Sequence, residues 1–91
     1  MNFKAKHNLS QQEAKSRVEA LGVAMNLTTT WKSEYKAQAK GKVAGRDVSG
    51  DIEILPDNVS MNVNLPKMHK IISRVVEKQV QQELEKAMSN D

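Results

Sequence analysis

Two imidazoles, a few serines and a pair of neighbouring carboxylates are the side chains of this sequence that have the means to do chemistry. There is no cysteine, which excludes thiol nucleophiles, thiolate metal sites and disulfides. His7 and His69 are the only histidines. To act as a general base or a metal ligand, His7 needs a carboxylate or a second imidazole at ligand spacing, and the sequence supplies neither. Its expected role is that of a buried histidine hydrogen-bonded near the start of a helix. His69 stands among Lys67 and Lys70 and reads as solvated. Ser10, Ser49 and Ser60 have no triad setting, and no G-x-S-x-G occurs. Gly41-Lys42-Val43-Ala44-Gly45 lacks the Gly-Lys-Ser/Thr order of a phosphate loop and leads into a strand rather than a helix. Asp51 and Glu53 share the outward face of a strand and read as a solvated pair rather than a cation site. The chain is expected to be non-enzymatic, with no catalytic, cofactor-binding or metal-binding residue.

The elements that would carry these residues follow from periodicity. Phe3, Ala5 and His7 alternate with Lys4 and Lys6, as in a half-buried strand. Ser10 with Glu13 three residues on has the form of a capping box, and Leu9 stands where a hydrophobic staple packs. Ala14, Val18, Leu21 and Met25 then make one helical stripe ending near Asn26, interrupted by Gly22, which suits a close approach to a sheet. Thr28 to Ala39 alternates as one strand, with Trp31, Ser33, Tyr35, Ala37 and Ala39 on a single face. A turn near Gly45-Arg46-Asp47 separates it from Val48–Ile54, and Pro56-Asp57-Asn58 is a second turn before the alternating run Val59 to Leu65. Pro66 suits the first turn of a closing helix. From Lys67 to Met88, Met68, Ile71, Ile72, Val75, Val76, Val80, Leu84, Ala87 and Met88 form its apolar stripe. Such a helix is about 33 Å long, more than the ~20 Å of a typical strand, so the turns from Gln81 onward are expected to overhang. On this reading Val75 is a core residue, and Val75→Asp unfolds the domain. The fold class is α+β: β-α-β-β-β-α, one antiparallel-rich sheet with both helices on one face.

Ninety-one residues make one domain, 1–91, with 89–91 as a loose tail. Three aromatic residues, Phe3, Trp31 and Tyr35, leave the core to aliphatics and five methionines. The N-terminus has no apolar run of signal-peptide length and no segment reaches ~20 apolar residues, so a cytoplasmic address without a membrane span is expected. The net charge of +3 is unevenly placed: nine Lys/Arg against three Asp/Glu up to residue 46, then five against eight. A solvated lysine-rich face accounts for this asymmetry, and an anionic partner is the alternative.

Two surfaces could meet partners. Val80, Leu84 and Met88 on the overhanging helix end would make an apolar strip for a homodimer or another apolar surface. Lys67, Lys70 and Arg74 could contact phosphates. The helix, meander, helix order has the form of a double-stranded-RNA-binding domain, but Leu65-Pro66-Lys67 replaces the glycine-rich turn and lysine pair of such domains, and nucleic acid is the lesser reading.

The run His7-Asn8-Leu9-Ser10-Gln11-Gln12-Glu13-Ala14-Lys15 resembles the "H-x-L-x-x-x-E-A" opening of the polyhydroxyalkanoic acid system family, small proteins of polyester granule gene regions. Trp31 opening the second strand, Gly45 and Gly50 ahead of Asp51-Ile52-Glu53-Ile54, and Val59 to Leu65 leading into the closing helix extend the resemblance over essentially the whole chain. The resemblance implies no catalytic residues. It implies a bacterial cytoplasm and an accessory role at or near storage granules, with the granule surface or a granule-associated protein as partner.

Overall fold

Strict alternation gives each strand one dry face and one wet face, and the sheet follows from joining the dry faces. The computed structural model describes residues 2–43, 45–64 and 70–89, without the side chains of Val43, Lys70 and Ile72. Its elements are β1 (Asn2–Lys6), α1 (Gln11–Ala24), β2 (Thr28–Ser33), β3 (Lys36–Val43), β4 (Arg46–Ile54), β5 (Asn58–Asn64) and α2 (Lys70–Ala87). The strands form one sheet in the order β1-β5-β4-β3-β2, with every pairing antiparallel. The α+β class with two helices over one sheet face is as expected. Phe3, Ala5, Ala37, Ala39, Ile52, Ile54, Val59, Met61 and Val63 supply the sheet side of the core. Ala14 and Val18 supply α1, and Val76, Val80, Leu84 and Met88 supply α2.

The meander has four strands rather than three. The segment expected as a single strand, Thr28 to Ala39, folds back at Glu34 and Tyr35 into β2 and β3. Trp31 pairs with Ala37, and the register shifts between Trp31 and Ser33. Trp31 and Ala37, both odd-numbered, face the core on either side of the turn while Ser33 is exposed at the shift, and neither Glu34 nor Tyr35 is a turn-forming residue type.

Both ends of α1 are built as local chemistry requires. Ser10 Oγ accepts the Glu13 amide at 3.1 Å, while the Glu13 carboxylate turns forward to Arg17 Nε at 3.4 Å instead of back toward Ser10. At the other end Asn26 adopts a left-handed φ of 58°. The Leu27 amide donates to Gly22 O at 2.8 Å and the Asn26 amide to Val23 O at 3.1 Å, the two bonds of a Schellman motif. A Cβ on Gly22 would stand 2.9 Å from Thr29 Oγ1, so this glycine does bring α1 close to the sheet. Gly41 is tighter still, since a Cβ there would lie 2.4 Å from Leu27 Cδ2 and 3.2 Å from Asn26 O.

In α2 the sequence-based expectation is corrected. Val76, Val80, Leu84 and Met88 are buried, whereas Ile71 and Val75 are 67% and 60% exposed. At 3.6 residues per turn neighbouring residues stand about 100° apart, so Val75 cannot share Val76's face. The apolar arc is too wide for one sheet, and the face of Val76, Val80, Leu84 and Met88 takes the core. The turns from Gln81 onward do not overhang, since Leu84 and Met88 are buried. Pro66, Lys67, Met68 and His69, expected to begin this helix, lie outside the described residues. Val75→Asp is accordingly expected to change stability by no more than about 0.5 kcal/mol; an unchanged urea midpoint checks this.

Candidate functional site

His7 closes the end of β1 and is buried. Its Nε2 lies 2.9 Å from Leu55 O, and its Nδ1 accepts the Leu9 amide at 3.1 Å. These partners select the tautomer with the proton on Nε2. The His7 amide in turn donates to Asp57 O at 3.0 Å, and Gln11 Nε2 donates to Ile54 O at 3.1 Å. Both ring nitrogens are thus committed to tying the entrance of α1 to the β4–β5 turn. This is the structural role expected of His7, and it leaves neither nitrogen pointing at open space.

The motif around it is equally architectural. Leu9 is half-buried against the core and Ala14 lies within it. Glu13 orients Arg17, whose Nη1 donates to Ala87 O at 3.3 Å and to Ser89 O. A guanidinium on the last carbonyls of a helix satisfies groups that have no intrahelical donor. Arg17 thereby ties α1 to the end of α2. Ser89, expected to begin a loose tail, is held by this contact; Asn90 and Asp91 lie outside the described residues. On the opposite flank Lys15 Nζ sits 4.5 Å from the centre of the Trp31 ring. Gln12 Nε2 reaches Glu34 Oε1 at 3.2 Å and Tyr35 Oη at 3.3 Å.

The apolar strip expected at Val80, Leu84 and Met88 is not a surface. These three residues are 8%, 0% and 2% exposed, filled in by the chain's own sheet and α1, so neither a dimer nor any other partner contact forms through them. The exposed large apolar residues among those described are Val23, Ile71 and Val75. Of the basic cluster, Lys67 lies outside the described residues and the side chain of Lys70 is not described. Arg74 is exposed, on a hollow it shares with Glu77, Lys78, Asn2 and Phe3, so the acidic and basic groups there are mixed. The fourth meander strand also departs from the helix, three-strand, helix order on which the nucleic-acid reading leaned.

Sequence reasoning did not single out the helix-free face of the sheet. It carries Lys4, Lys36, Lys40 and Lys42 among Asn62, Asn64, Thr28 and Thr30, all exposed. Lys36 Nζ pairs across strands with Glu53 Oε2 at 3.4 Å. A shallow hollow of about 680 Å³ lies where the β3–β4 hairpin runs past its neighbours, lined by Thr28, Lys40, Lys42, Asp47, Ser49 and Asn64. Asp51 and Glu53 share this face, as the alternation implied. Among the described residues no group of three or more His, Cys, Asp or Glu side chains is placed to hold a metal ion. No helix there is long and apolar enough to cross a membrane.

These features define a class: a small α+β domain whose marked residues brace the scaffold, with a polar open sheet face and an apolar helix start. The chain belongs to the family described as "Putative polyhydroxyalkanoic acid system protein", whose model matches residues 1–88, in agreement with the resemblance read from its motifs. No curated protein and no solved structure matches the chain.

Proposed function

We propose that this protein is a non-enzymatic accessory protein of the bacterial polyhydroxyalkanoate storage system, working in the cytoplasm at or near the granule surface. The family match across residues 1–88 is the observation that carries the reading. The geometry supports it in two ways. The residues of the family motif are taken up in holding the fold, as the contacts of His7 and Glu13 illustrate. The first turns of α2 present Ile71 and Val75 to the outside, and a polyester granule is a largely apolar surface on which such side chains gain by leaving water.

The test is a tagged copy in a polymer-accumulating cell, followed by isolation of the granules. The wild-type protein is expected in the granule fraction. The Ile71→Glu/Val75→Glu variant is expected to leave it while keeping the parent's melting temperature. A wild-type protein found wholly outside the granule fraction would overturn the reading.

A further inference from the structure

A sheet has two edges, and this chain attends to only one of them. At the β1 edge, Gln81 Nε2 of α2 donates to Lys4 O at 2.9 Å. At the other edge β2 bonds to β3 on one side. No further hydrogen bond to the backbone of Thr28–Ser33 occurs among the described residues. The strand reads Thr-Thr-Thr-Trp-Lys-Ser, without proline, so its outward amides and carbonyls are a template for one more strand. The register shift between Trp31 and Ser33 confines that template to Thr28 through Lys32.

Charge decides which strand can come. On the open face Lys32 of β2 shares a hollow with Lys36, and Lys40 and Lys42 of β3 line another with Thr28. The carboxylates of that face, Asp47, Asp51 and Glu53, stand on β4, one strand further in. Lys36 is paired with Glu53, and Lys42 lies opposite Asp47. Lys32 and Lys40 form no ion pair among the described residues. A second copy joined through β2 would bring Lys32, Lys36, Lys40 and Lys42 up to the same residues of its partner. Joined through its β1, it would add the exposed Lys4 and Lys6. Like charges so placed repel, and the edge rejects its own kind.

We infer that the β2 edge takes up an extended acidic segment of another protein as a sixth strand. The backbone of that segment runs about 4.8 Å from β2 and pairs with Thr28 through Lys32. One carboxylate lies opposite Lys32. Another, four residues along, lies opposite Thr28, with only that short side chain between it and Lys40, the cross-strand neighbour of Thr28. Alternate residues of the segment point to the helix side, where the half-buried Trp31 favours an aliphatic neighbour. The recognised pattern is Glu-x-x-x-Glu with aliphatic residues next to each Glu on the inner side. This contact uses neither Ile71 nor Val75 and does not depend on the granule reading.

The test titrates the isotope-labelled full chain with the capped peptide Thr-Glu-Val-Thr-Val-Glu-Thr, whose palindromic order serves either strand direction. The amide signals of Thr28 through Lys32 are expected to shift saturably, with hydrogen exchange slowed at alternate residues. Two control peptides separate charge from backbone. One carries Lys for both Glu, and the other is N-methylated at its central Val-Thr pair and cannot complete the ladder. Each is expected to bind at least about tenfold more weakly. The same loss is expected for the acidic peptide on the Lys32→Glu/Lys40→Glu variant, whose exposed substitutions should leave the melting temperature unchanged. The control peptides use the native chain, so they decide the matter if that variant does not fold. Absence of a saturable shift, equal binding of either control, or shifts on the open face that spare β2 would overturn the inference. So would β2 amides that gain protection with protein concentration alone, since a second copy would then be the occupant. No granule enters the titration, so its outcome is separate from that of the granule isolation.

Discussion

Leu84→Ala is expected to destabilise the protein by roughly 3–5 kcal/mol, lowering the melting temperature by more than about 12 °C. Leu84 is fully buried and among the largest such side chains in the domain. It stands in the stretch of α2 that seals the core between Val80 and Met88. Removing its branched end costs the lost transfer energy together with a cavity that α2 can close only in part, because Arg17 fixes the helix end through Ala87 O. A chain of this length has a total stability on the order of 5–14 kcal/mol, so the loss is a large fraction of the whole. Urea unfolding followed by far-UV circular dichroism measures it. A change below about 1 kcal/mol would mean that α2 does not pack through this face. The contrast with Val75→Asp, a harsher substitution expected to cost little, makes the pair a direct test of how the helix is rotated.

His7→Ala is the second large effect, expected at roughly 2–5 kcal/mol. The substitution strands the Leu55 carbonyl and the Leu9 amide, which now meet the ring at 2.9 and 3.1 Å. Each buried group left without a partner costs about 1–3 kcal/mol. His7→Phe fills the volume but restores neither bond, so it is expected to recover only part of the loss. Full recovery by Phe would show that the ring serves by its bulk alone. Hydrogen exchange at the Leu9 amide should rise in both variants, because its acceptor is gone in each.

The period-two runs announced the faces of β1, β4 and β5, and the Ser10 cap announced where α1 begins. Those signals are local, and a local signal survives in any sequence that needs it. The β2–β3 turn left little trace, because Glu34 and Tyr35 at its centre are not usual turn residues and Trp31 and Ala37 on either side of it share the same parity. The rotation of α2 was hidden for a different reason. Ile71 and Val75 are as apolar as Val76 and Val80, and only the finite width of the sheet decides which pair is covered. Val80, Leu84 and Met88 looked like a surface on length alone, whereas α1 reaches far enough to place Arg17 on the helix end. The family motif was legible as a pattern, but its purpose was not. His7, Leu9, Glu13 and Ala14 act through contacts with Leu55, Arg17 and the core, distant in sequence except within the helix itself.

The pairing of β1 with β5, from Asn2 opposite Asn62 to Lys6 opposite Asn58, has a kinetic consequence. Residues 2–6 wait for a strand more than fifty positions downstream, and α2 has no finished floor to rest on until the two meet. Pairings of such sequence separation slow folding, because the entropy of closing the intervening loop is lost before the contacts form. The hairpins of the central meander can assemble early. The N-terminal strand and the C-terminal helix must come last and together, like a buckle fastened by its two ends.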